Sequence, residues 1–358
     1  MTDVLGVQLT PWGNARELVD LGSRLKSVFD VVWVQDQMLA RNAYALLGAL
    51  ANAGCGVGTG VTYPIGRNPI EMASAVATIA ELVPAGREVV VGMGTGGAVV
   101  QSLFLRDRPV SAVAEAITLM RALWAGETVD LDRFPVLGRG LGYKPGAMAR
   151  LTYAVERPPC IAVTGVGPKI LKVAGTHADG LIFASNMPTH SYPAFRSGRF
   201  AELSGLSVAR AARAADAPPL RLIFGINVSI SADRERARFF ARRQLALVLG
   251  NPRLWPDLEA VGLDVESAND VKAAFDAGHG IEGAAARISS TLAEALIVSG
   301  TPEDCVERMV ELRQLAEAEG YSEFYVGGPL GPDVFETAEL LRDIVVPQVW
   351  PEHASVPR

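Results

Sequence analysis

Short apolar runs alternate with amphipathic stretches from one end of this chain to the other, and this alternation limits the folds open to it. Each apolar run has the length of a buried strand, and the stretches between them have the spacing of surface helices. Repeated strand–helix units form parallel sheets. The predicted strands span residues 5–9, 31–34, 57–61, 89–94, 160–163, 180–184, 220–229 and 324–326. Eight such units close a barrel, so the sequence predicts an α/β fold of the TIM (β/α)₈ type.

The helical patterns complete the repeat except in two places. They cover residues 14–25, 70–82, 113–124, 168–174, 234–249 and 303–319. The last is preceded by Thr301, a capping residue, and by Pro302, a residue favoured at the first helical position. Residues 125–159, after the fourth helix, and residues 250–299, before the eighth, do not fit; the latter predict extra helices near 271–274 and 284–297. Neither is flanked by a flexible linker, so we interpret both as insertions in a single domain spanning residues 1–358.

Composition and charge exclude several classes of protein. The chain is 49% hydrophobic, with 36 glycines and 22 prolines, which indicates a large core cut by tight turns rather than disorder. A formal charge of −6 gives no electrostatic footprint for nucleic acid, and the arginines between residues 234 and 243 are interpreted as a solvated helix face. No apolar run approaches the roughly 18 residues of a membrane helix. We therefore expect neither nucleic acid nor membrane as a partner.

The cysteines and histidines argue against disulfides and metal. Cys55, Cys160 and Cys305 form an odd, scattered set, and the start of the chain lacks a secretory signal, which together predict a cytoplasmic protein without disulfides. The four histidines share no metal-ligand spacing, and no Ser-His-Asp arrangement is legible. His190 follows the sixth predicted strand and could face a site there, but a surface position is the preferred interpretation.

Four of the predicted strands end in small residues. Strand and ending together cover residues 57–64, 89–97, 161–167 and 324–332. In a barrel the site lies at the carboxyl ends of the strands, so these four segments are expected to open onto one site. The run from Gly92 to Gly97 matches a dinucleotide-binding pattern, but no second strand ending in an acidic residue follows, which disfavours a Rossmann unit. Two interpretations stay open for it: backbone brought close to a ligand, or glycines needed for tight packing.

Two polar segments at the predicted strand ends are candidates for ligand contacts. Thr164-Gly165-Val166-Gly167-Pro168-Lys169 follows a strand and opens a helix, so its free N–H groups, the helix dipole and one lysine predict an anion site, with a plain turn as the alternative. Asp36 and Gln37 come directly after the second strand, at the expected mouth of the barrel. A helix cap is the alternative role for Asp36.

Several of these segments, taken in order, resemble the bacterial luciferase-like superfamily. They are Val32-Trp33-Val34-Gln35-Asp36, Gly58-Thr59-Gly60-Val61-Thr62-Tyr63-Pro64 with Arg67-Asn68-Pro69, Gly92-Met93-Gly94-Thr95-Gly96, residues 175–180, and Gly327-Gly328-Pro329-Leu330-Gly331-Pro332. Ala184-Ser185-Asn186 and Gly300-Thr301-Pro302-Glu303 are most similar to the methylenetetrahydromethanopterin reductase-like branch, which uses the deazaflavin coenzyme F420. The resemblance covers nearly the whole chain.

The resemblance implies a usually dimeric barrel that transfers a hydride between C5 of the deazaflavin and a carbon of a second substrate. It implies a non-prolyl cis peptide at Gly60-Val61, forming a bulge under the coenzyme ring. Matched residue by residue, the ring and its side chain would contact Asp36, Tyr63, Thr95 and Gly96, and the coenzyme phosphate would be held by Val166, Gly167, Lys169 and Ile170. The phosphate positions coincide with the anion site predicted from the helix start.

Some positions depart from the family pattern. Gln37 stands where the sugar-phosphate and alcohol dehydrogenases have histidine, and Gly97 and Met187 replace an acid and a lysine of the glucose-6-phosphate enzymes, so activity on that sugar phosphate is not expected. Gln8 stands where related reductases can carry a glutamate, so the usual proton donor is absent. Loss of a general acid costs typically 10²- to 10⁴-fold. Either another group such as Asp36 serves as the donor, or the reaction needs little proton transfer. The candidate catalytic residues are Asp36, Gln37 and Gln8.

The sequence therefore predicts an F420-dependent oxidoreductase that acts on a small organic substrate of imine, alkene or carbonyl type, as a homodimer. Two alternatives remain open. The first is an FMN-dependent luciferase-like monooxygenase on the same fold. The second is a barrel without catalytic activity that only binds the coenzyme, suggested by Gln8, Gln37 and Gly97.

Overall fold

A computed structural model describes residues 4–354 and contains a closed barrel of eight parallel strands. The strands are β1 (Val4–Leu9), β2 (Val31–Val34), β3 (Gly56–Thr62), β4 (Val89–Met93), β5 (Cys160–Thr164), β6 (Gly180–Ala184), β7 (Arg221–Ile230) and β8 (Glu323–Leu330). Each strand pairs with the next, and the ring closes where Leu5 of β1 aligns with Phe324 of β8. All eight predicted strands are confirmed, most of them within one residue at each end.

Nine of the described helices, numbered α1 to α9, surround the barrel. They are α1 (Ala15–Leu25), α2 (Ala43–Asn52), α3 (Pro69–Leu82), α4 (Pro109–Trp124), α5 (Pro168–His177), α6 (Leu206–Ala212), α7 (Arg234–Leu249), α8 (Pro302–Ala318) and α9 (Val334–Leu340). The first three begin at an asparagine whose side chain accepts a backbone N–H of the first turn: Asn14, Asn42 and Asn68. Thr301 caps α8, as its sequence predicts: Thr301 Oγ1 accepts from the Asp304 backbone N–H. In return, the Asp304 carboxylate accepts from the Thr301 backbone N–H.

Shorter elements fill the connections. Short α-helices span Ala98–Leu103, Pro135–Leu141, Tyr192–Arg196, Phe200–Leu203, Trp255–Ala260, Glu266–Asp276, Gly280–Ala285, Ser290–Leu296 and Val346–Val349. 3₁₀ turns cover Leu131–Arg133, Pro188–His190, Pro252–Leu254 and Pro351–His353, and a π-helical stretch covers Leu341–Val345. Sequence patterning missed α2, the hairpin of Val129–Asp130 with Met148–Ala149, and the strand Val298–Gly300 beside β7. These strands have only two or three residues, too few to show an alternating pattern.

The two predicted insertions lie between β4 and β5 and between β7 and β8. The second packs its helices against α7, where Leu245, Leu249, Val271 and Leu292 belong to an apolar cluster separate from the barrel core. The α7 arginines were predicted to form a solvated face, but several are ion-paired: Arg234 with Asp304, Arg238 with Glu294, and Arg243 with Glu282. They therefore fasten α7 to the second insertion and to α8.

Two aromatic rings fill the inside of the barrel. Trp33 of β2 and Tyr325 of β8 lie with ring centroids 5.9 Å apart and are almost fully buried. A Cβ atom at Gly58 would come within 2.6 Å of the Trp33 ring, and one at Gly225 within 2.1 Å of the Tyr325 ring. These glycines are therefore required for packing, because no other residue leaves room for the rings.

A partly buried ion-pair cluster lies at the amino-terminal end of the barrel. The Arg221 guanidinium donates to both carboxylate oxygens of Glu88 and of Glu323, at 2.6 to 2.8 Å. Burial alone would lower the pKa of Arg221, but these charge-assisted bonds outweigh it and raise that pKa. With this floor below and two rings above it, a ligand can enter the barrel only from the carboxyl ends of the strands.

Candidate active site

The mouth of the barrel is lined by a chain of amide side chains. Trp12 Nε1 donates to Gln37 Oε1 at 2.6 Å, Gln37 Nε2 donates to Gln35 Oε1 at 2.7 Å, and Gln35 Nε2 donates to Gln8 Oε1 at 3.0 Å. The chain starts at an exposed tryptophan and ends inside the barrel, where Gln8 is 8% exposed. Every link is a neutral group, so this part of the mouth carries no charge and no acid that could supply a proton.

Gln8 holds the end of β3 in place. Its Nε2 donates to the carbonyl oxygen of Gly60 at 2.8 Å, and its Oε1 also lies 3.4 Å from the Gly328 amide. The neighbouring Asn227 donates from Nδ2 to the Gly328 carbonyl at 2.7 Å. Strands β1, β3, β7 and β8 are therefore joined across the mouth by amide hydrogen bonds. The described bonds of the predicted catalytic residue Gln8 are thus to the backbone of Gly60 and Gly328 and to the Gln35 side chain.

The end of β3 forms the bulge that the resemblance implies. The peptide bond between Gly60 and Val61 is cis, and the pairing of β3 with β4 shifts by one residue between Thr59 and Thr62. Val61 is partly exposed and lies over β4, where a Cβ atom at Gly92 would come within 2.2 Å of the Thr59 carbonyl oxygen and 3.0 Å of Val61. For Gly92, tight packing is therefore the interpretation that the structure supports.

Asp36 is buried in an ion pair rather than free in the mouth. Arg67 donates from Nη2 to Oδ1 at 2.6 Å and from Nε to Oδ2 at 2.9 Å, and Thr62 Oγ1 donates to Oδ2 at 2.7 Å. The Asp36 side chain has no exposed surface, and that of Arg67 is 21% exposed. This geometry anchors the ends of β2 and β3 to each other. It does not match the helix-cap role considered for Asp36.

Tyr44 and Tyr63 complete the surroundings of this ion pair. Tyr44 OH lies 3.0 Å from Thr62 Oγ1, and since Thr62 donates its proton to Asp36, the tyrosine is the donor. Burial raises the pKa of the Tyr44 hydroxyl. Burial, and then the charge of Asp36, raise the pKa of Tyr63 to about 12. Both phenols are therefore neutral at pH 7, and Tyr63 packs at the base of the mouth.

The loop after β4 contains the predicted ring contacts Thr95 and Gly96. Both are partly exposed, and Gly96 has φ +89°, a conformation that favours glycine. The Arg106 guanidinium lies 3.4 Å from the Thr95 carbonyl oxygen and 3.5 Å from that of Gly96, which ties the later part of this loop back to the mouth. Gly97 is exposed. The strand that pairs with β4 is β5 of a closed barrel, which excludes a Rossmann unit here.

The predicted anion site lies at the start of α5. Gly167 precedes the helix, and a Cβ atom placed on it would have no heavy atom within 4 Å. No described side chain caps the helix start. Val166 and Gly167 are partly exposed, Lys169 is exposed, and Ile170 is 6% exposed and packs beneath Gly165. Lys169 can thus reach a ligand at the helix start, whereas Ile170 holds the loop from below. The start of α5 is therefore an uncapped helix N-terminus with the exposed ammonium group of Lys169 beside it.

His190 is buried, so the preferred surface position is wrong. Its ring stacks on Phe183 at a centroid distance of 3.8 Å, and Phe183 points out of the barrel into the helix layer. Burial lowers the pKa of His190 to about 3. Within residues 4–354 no group of three or more His, Cys, Asp and Glu side chains could hold a metal ion, and no helix is long and apolar enough to cross a membrane.

Sequence reasoning missed Arg67 and Gln35 as parts of the site. Arg67 stands within a segment that carries the family resemblance, but no role was assigned to it because its partner Asp36 lies 31 residues earlier. Gln35 follows Trp33 by two residues, so the alternation of β2 places both on the inner face. That alternation is the signal that could have identified Gln35. The structure brings Gln8, Gln37, Asp36 and the β3 bulge together at one mouth.

Comparison with known proteins gives a consistent picture. A family model described as luciferase-like monooxygenase matches residues 4–319. The chain is 30% identical over 337 residues to the 5,10-methylenetetrahydromethanopterin reductase of Archaeoglobus fulgidus, covering 90% of this chain and 92% of the relative. It is 30% identical over 264 residues to the F420-dependent glucose-6-phosphate dehydrogenase of Nocardia farcinica, covering 71% of this chain and 68% of that protein.

A solved structure shares the fold. The coenzyme F420 dependent tetrahydromethanopterin reductase from Methanopyrus kandleri superposes with a TM-score of 0.76 at 23% identity. The superposition covers 97% of this chain and 99% of that one. Its low sequence identity makes it evidence for the barrel and its connections rather than for a particular substrate.

Proposed function

Because the chain belongs to the luciferase-like monooxygenase family, we propose that it is an oxidoreductase that binds coenzyme F420 and reduces or oxidises a small organic substrate at the barrel mouth. The reductase and dehydrogenase relatives support F420 over other coenzymes. The observation that carries the proposal is the clamped end of β3, where Gln8 holds the Gly60 carbonyl and Val61 faces the mouth.

The residues present fit a deazaflavin. A flat ring can lie against the partly exposed Val61 and the Thr95–Gly96 loop, whereas Asp36 and Tyr63 are buried and can support that surface only from behind. The open start of α5, with Lys169 beside Gly167, fits the phosphate of the coenzyme tail. When bound, the deazaflavin supplies or accepts a hydride at C5. The chain's part is to orient that carbon against the substrate and to exclude water.

The ion pair assigns Asp36 a positioning role in this proposal. A carboxylate that accepts three hydrogen bonds from Arg67 and Thr62 is poorly suited to donate a proton. Gln8 and Gln37 are amides whose described bonds are to other protein groups, so they orient neighbours and do not transfer protons. All three residues predicted to be catalytic therefore act by holding the mouth in shape.

None of the mouth residues described above is a free acid, and this favours some acceptors over others. Hydride addition to a ketone leaves an alkoxide that needs a proton at once, whereas addition to a cationic imine gives a neutral amine directly. We therefore favour a protonated imine as the second substrate, and place second an activated alkene, whose enolate-type product must take its proton from water. The protein is proposed to work as a homodimer in the cytoplasm, and light scattering of the purified protein tests the dimer.

Parallel fluorescence titrations with F420 and FMN test the choice of coenzyme. We expect F420 to bind more tightly, because the α5 start and the β3 bulge match it. Tight FMN binding with no F420 binding would favour the monooxygenase alternative, which the description of the family model supports. Multiple-turnover oxidation of reduced F420 by an imine acceptor excludes the inactive barrel. Binding of F420 without turnover across imine, alkene and carbonyl acceptors would favour that alternative.

A further inference from the structure

A second concave site lies beside the mouth. It is a cavity of about 560 Å³ between the loops that follow β3 and β4, the start of α4 and the helix Pro135–Leu141 of the first insertion. This volume falls within the range of pockets that hold small organic ligands, about 300 to 1,000 Å³. Its walls include Ile65, Phe104, Val136 and Leu141. None of these residues has a role in the oxidoreductase site described above.

Most of the residues that line the cavity are apolar. Leu103, Phe104 and Leu105 form one wall and are 49%, 36% and 100% exposed. Three consecutive large apolar side chains exposed to water are unfavourable unless something covers them. The charged groups at the cavity are Asp107 and Arg139, which form an ion pair of 3.0 Å with each other. The ligand chemistry that fits is an uncharged alkyl or aryl group.

Two walls of the cavity begin at residues proposed to contact the coenzyme. The β3 loop runs from Tyr63 into Pro64 and Ile65, which line the cavity. The β4 loop runs from Thr95 and Gly96 to the Leu103–Leu105 wall, and Arg106, directly after that wall, lies against both the Thr95 and Gly96 carbonyl oxygens. A molecule on the coenzyme ring can therefore extend an apolar group between these two loops.

We propose that this cavity binds an apolar alkyl or aryl substituent of the second substrate, so that the substrate class is an imine or alkene with a hydrophobic tail. The inference rests on the proposed function for the reacting end of the molecule. The occupant is a small molecule because the site is concave and of ligand size, whereas a stable protein partner needs a surface of about 800 Å² on each side.

Gly140 provides a direct way to fill the cavity. It lines the cavity, its φ is not in the left-handed region, and a Cβ atom there would have no heavy atom within 4 Å. Gly140→Phe should therefore occupy the space without displacing backbone. Gly140→Ala is the matched control, since it also replaces a glycine of this helix with a better helix former but adds only one methyl group.

The test uses a neutral naphthalene ketone dye, 6-propionyl-2-dimethylaminonaphthalene, whose emission shifts to the blue in apolar surroundings. We expect the unmodified protein to bind the dye with a dissociation constant in the micromolar range. The dissociation constant of Gly140→Ala should lie within twofold of that value, and that of Gly140→Phe should be at least 10-fold higher. F420 affinity should be the same in all three. Equal dye binding by Gly140→Phe, or no dye binding by the unmodified protein, would overturn the inference.

Three further outcomes separate this inference from the proposed function and from an interface between copies. Dye binding without F420 binding leaves the cavity in place and removes the oxidoreductase proposal. F420 binding and turnover with dye affinity unchanged in Gly140→Phe removes the cavity alone. If Gly140→Phe converts a dimer to a monomer by light scattering, the cavity is a contact between two copies and the inference is overturned.

Discussion

The Asp36–Arg67 ion pair offers the sharpest test of how the mouth is built. Arg67→Met removes the guanidinium and keeps most of the side-chain length. It leaves a carboxylate with no exposed side-chain surface and with Thr62 as its remaining described side-chain donor. Breaking a buried pair from one side costs about 3 to 5 kcal/mol of unfolding free energy. Because Arg67 is itself 21% exposed, water can replace part of it, and we expect about 2 to 3 kcal/mol.

The reciprocal change should cost less. Asp36→Asn keeps the shape of the side chain, and the unpaired Arg67 can turn towards solvent, so we expect a loss of about 1 to 2 kcal/mol. In the double variant neither charge is left buried alone. Its loss should then be smaller than the sum of the single losses by at least about 1 kcal/mol, which is the coupling that contacting residues show.

Urea unfolding followed by tryptophan fluorescence measures these differences, provided the transition is reversible and shows a single step. Lys272→Met is the control, because Lys272 forms an exposed ion pair with Asp276 within one helix, and its loss should cost about 0.3 kcal/mol. F420 affinity should fall in the single variants and recover partly in the double variant. Additive losses, with coupling below about 0.5 kcal/mol, would show that the two side chains do not act as a unit.

Three other predictions concern single positions. Gln8→Glu should weaken F420 binding at pH 8 and recover at acidic pH, because only a protonated carboxyl can donate to the Gly60 carbonyl; titrations that show no dependence on pH would contradict the clamp. Lys169→Ala should weaken F420 binding about 3- to 10-fold at low salt and less at high salt, and an effect independent of salt would argue against a phosphate there. His190 has its folded-state pKa lowered to about 3, so the unfolded state binds the extra proton between pH 3 and about 6.5 and stability is lost as the pH falls through that window. His190→Leu should therefore flatten the decline of the urea midpoint between pH 6.5 and pH 4, and an unchanged slope would refute this assignment.

The strand pattern of the barrel could be derived from the sequence because it is encoded locally. Each strand is a short apolar run, and each main helix has a periodic apolar face, so both can be recognised without knowing what they contact. The start of α8 at Thr301 and Pro302 was predicted for the same reason. Elements of two or three residues, such as Val298–Gly300, were missed because so short a segment has no period.

The roles of single residues at the mouth were harder to predict. The positions of Gln8 near the end of β1, and of Asp36 and Gln37 after β2, follow from the rule that barrel sites lie at the carboxyl ends of the strands. Their hydrogen-bond partners do not follow from it. Position alone makes Asp36 a candidate acid, whereas its contact with Arg67 makes it half of an ion pair. Sequence alone favours a surface position for His190, whereas its ring is buried against Phe183.

What the sequence determined by itself is therefore the number and order of the barrel strands, most of the longer helices between them, and the edge of the barrel at which a ligand is expected to bind. What the tertiary structure decided is which polar groups are free to act. Gln8 meets Gly60 52 residues away and Gly328 320 residues away, and such contacts exist only once the barrel has closed. Local periodicity carries no information about those distances, because it depends on neighbours within a few positions, whereas the state of a buried amide or carboxylate depends on every strand that surrounds it.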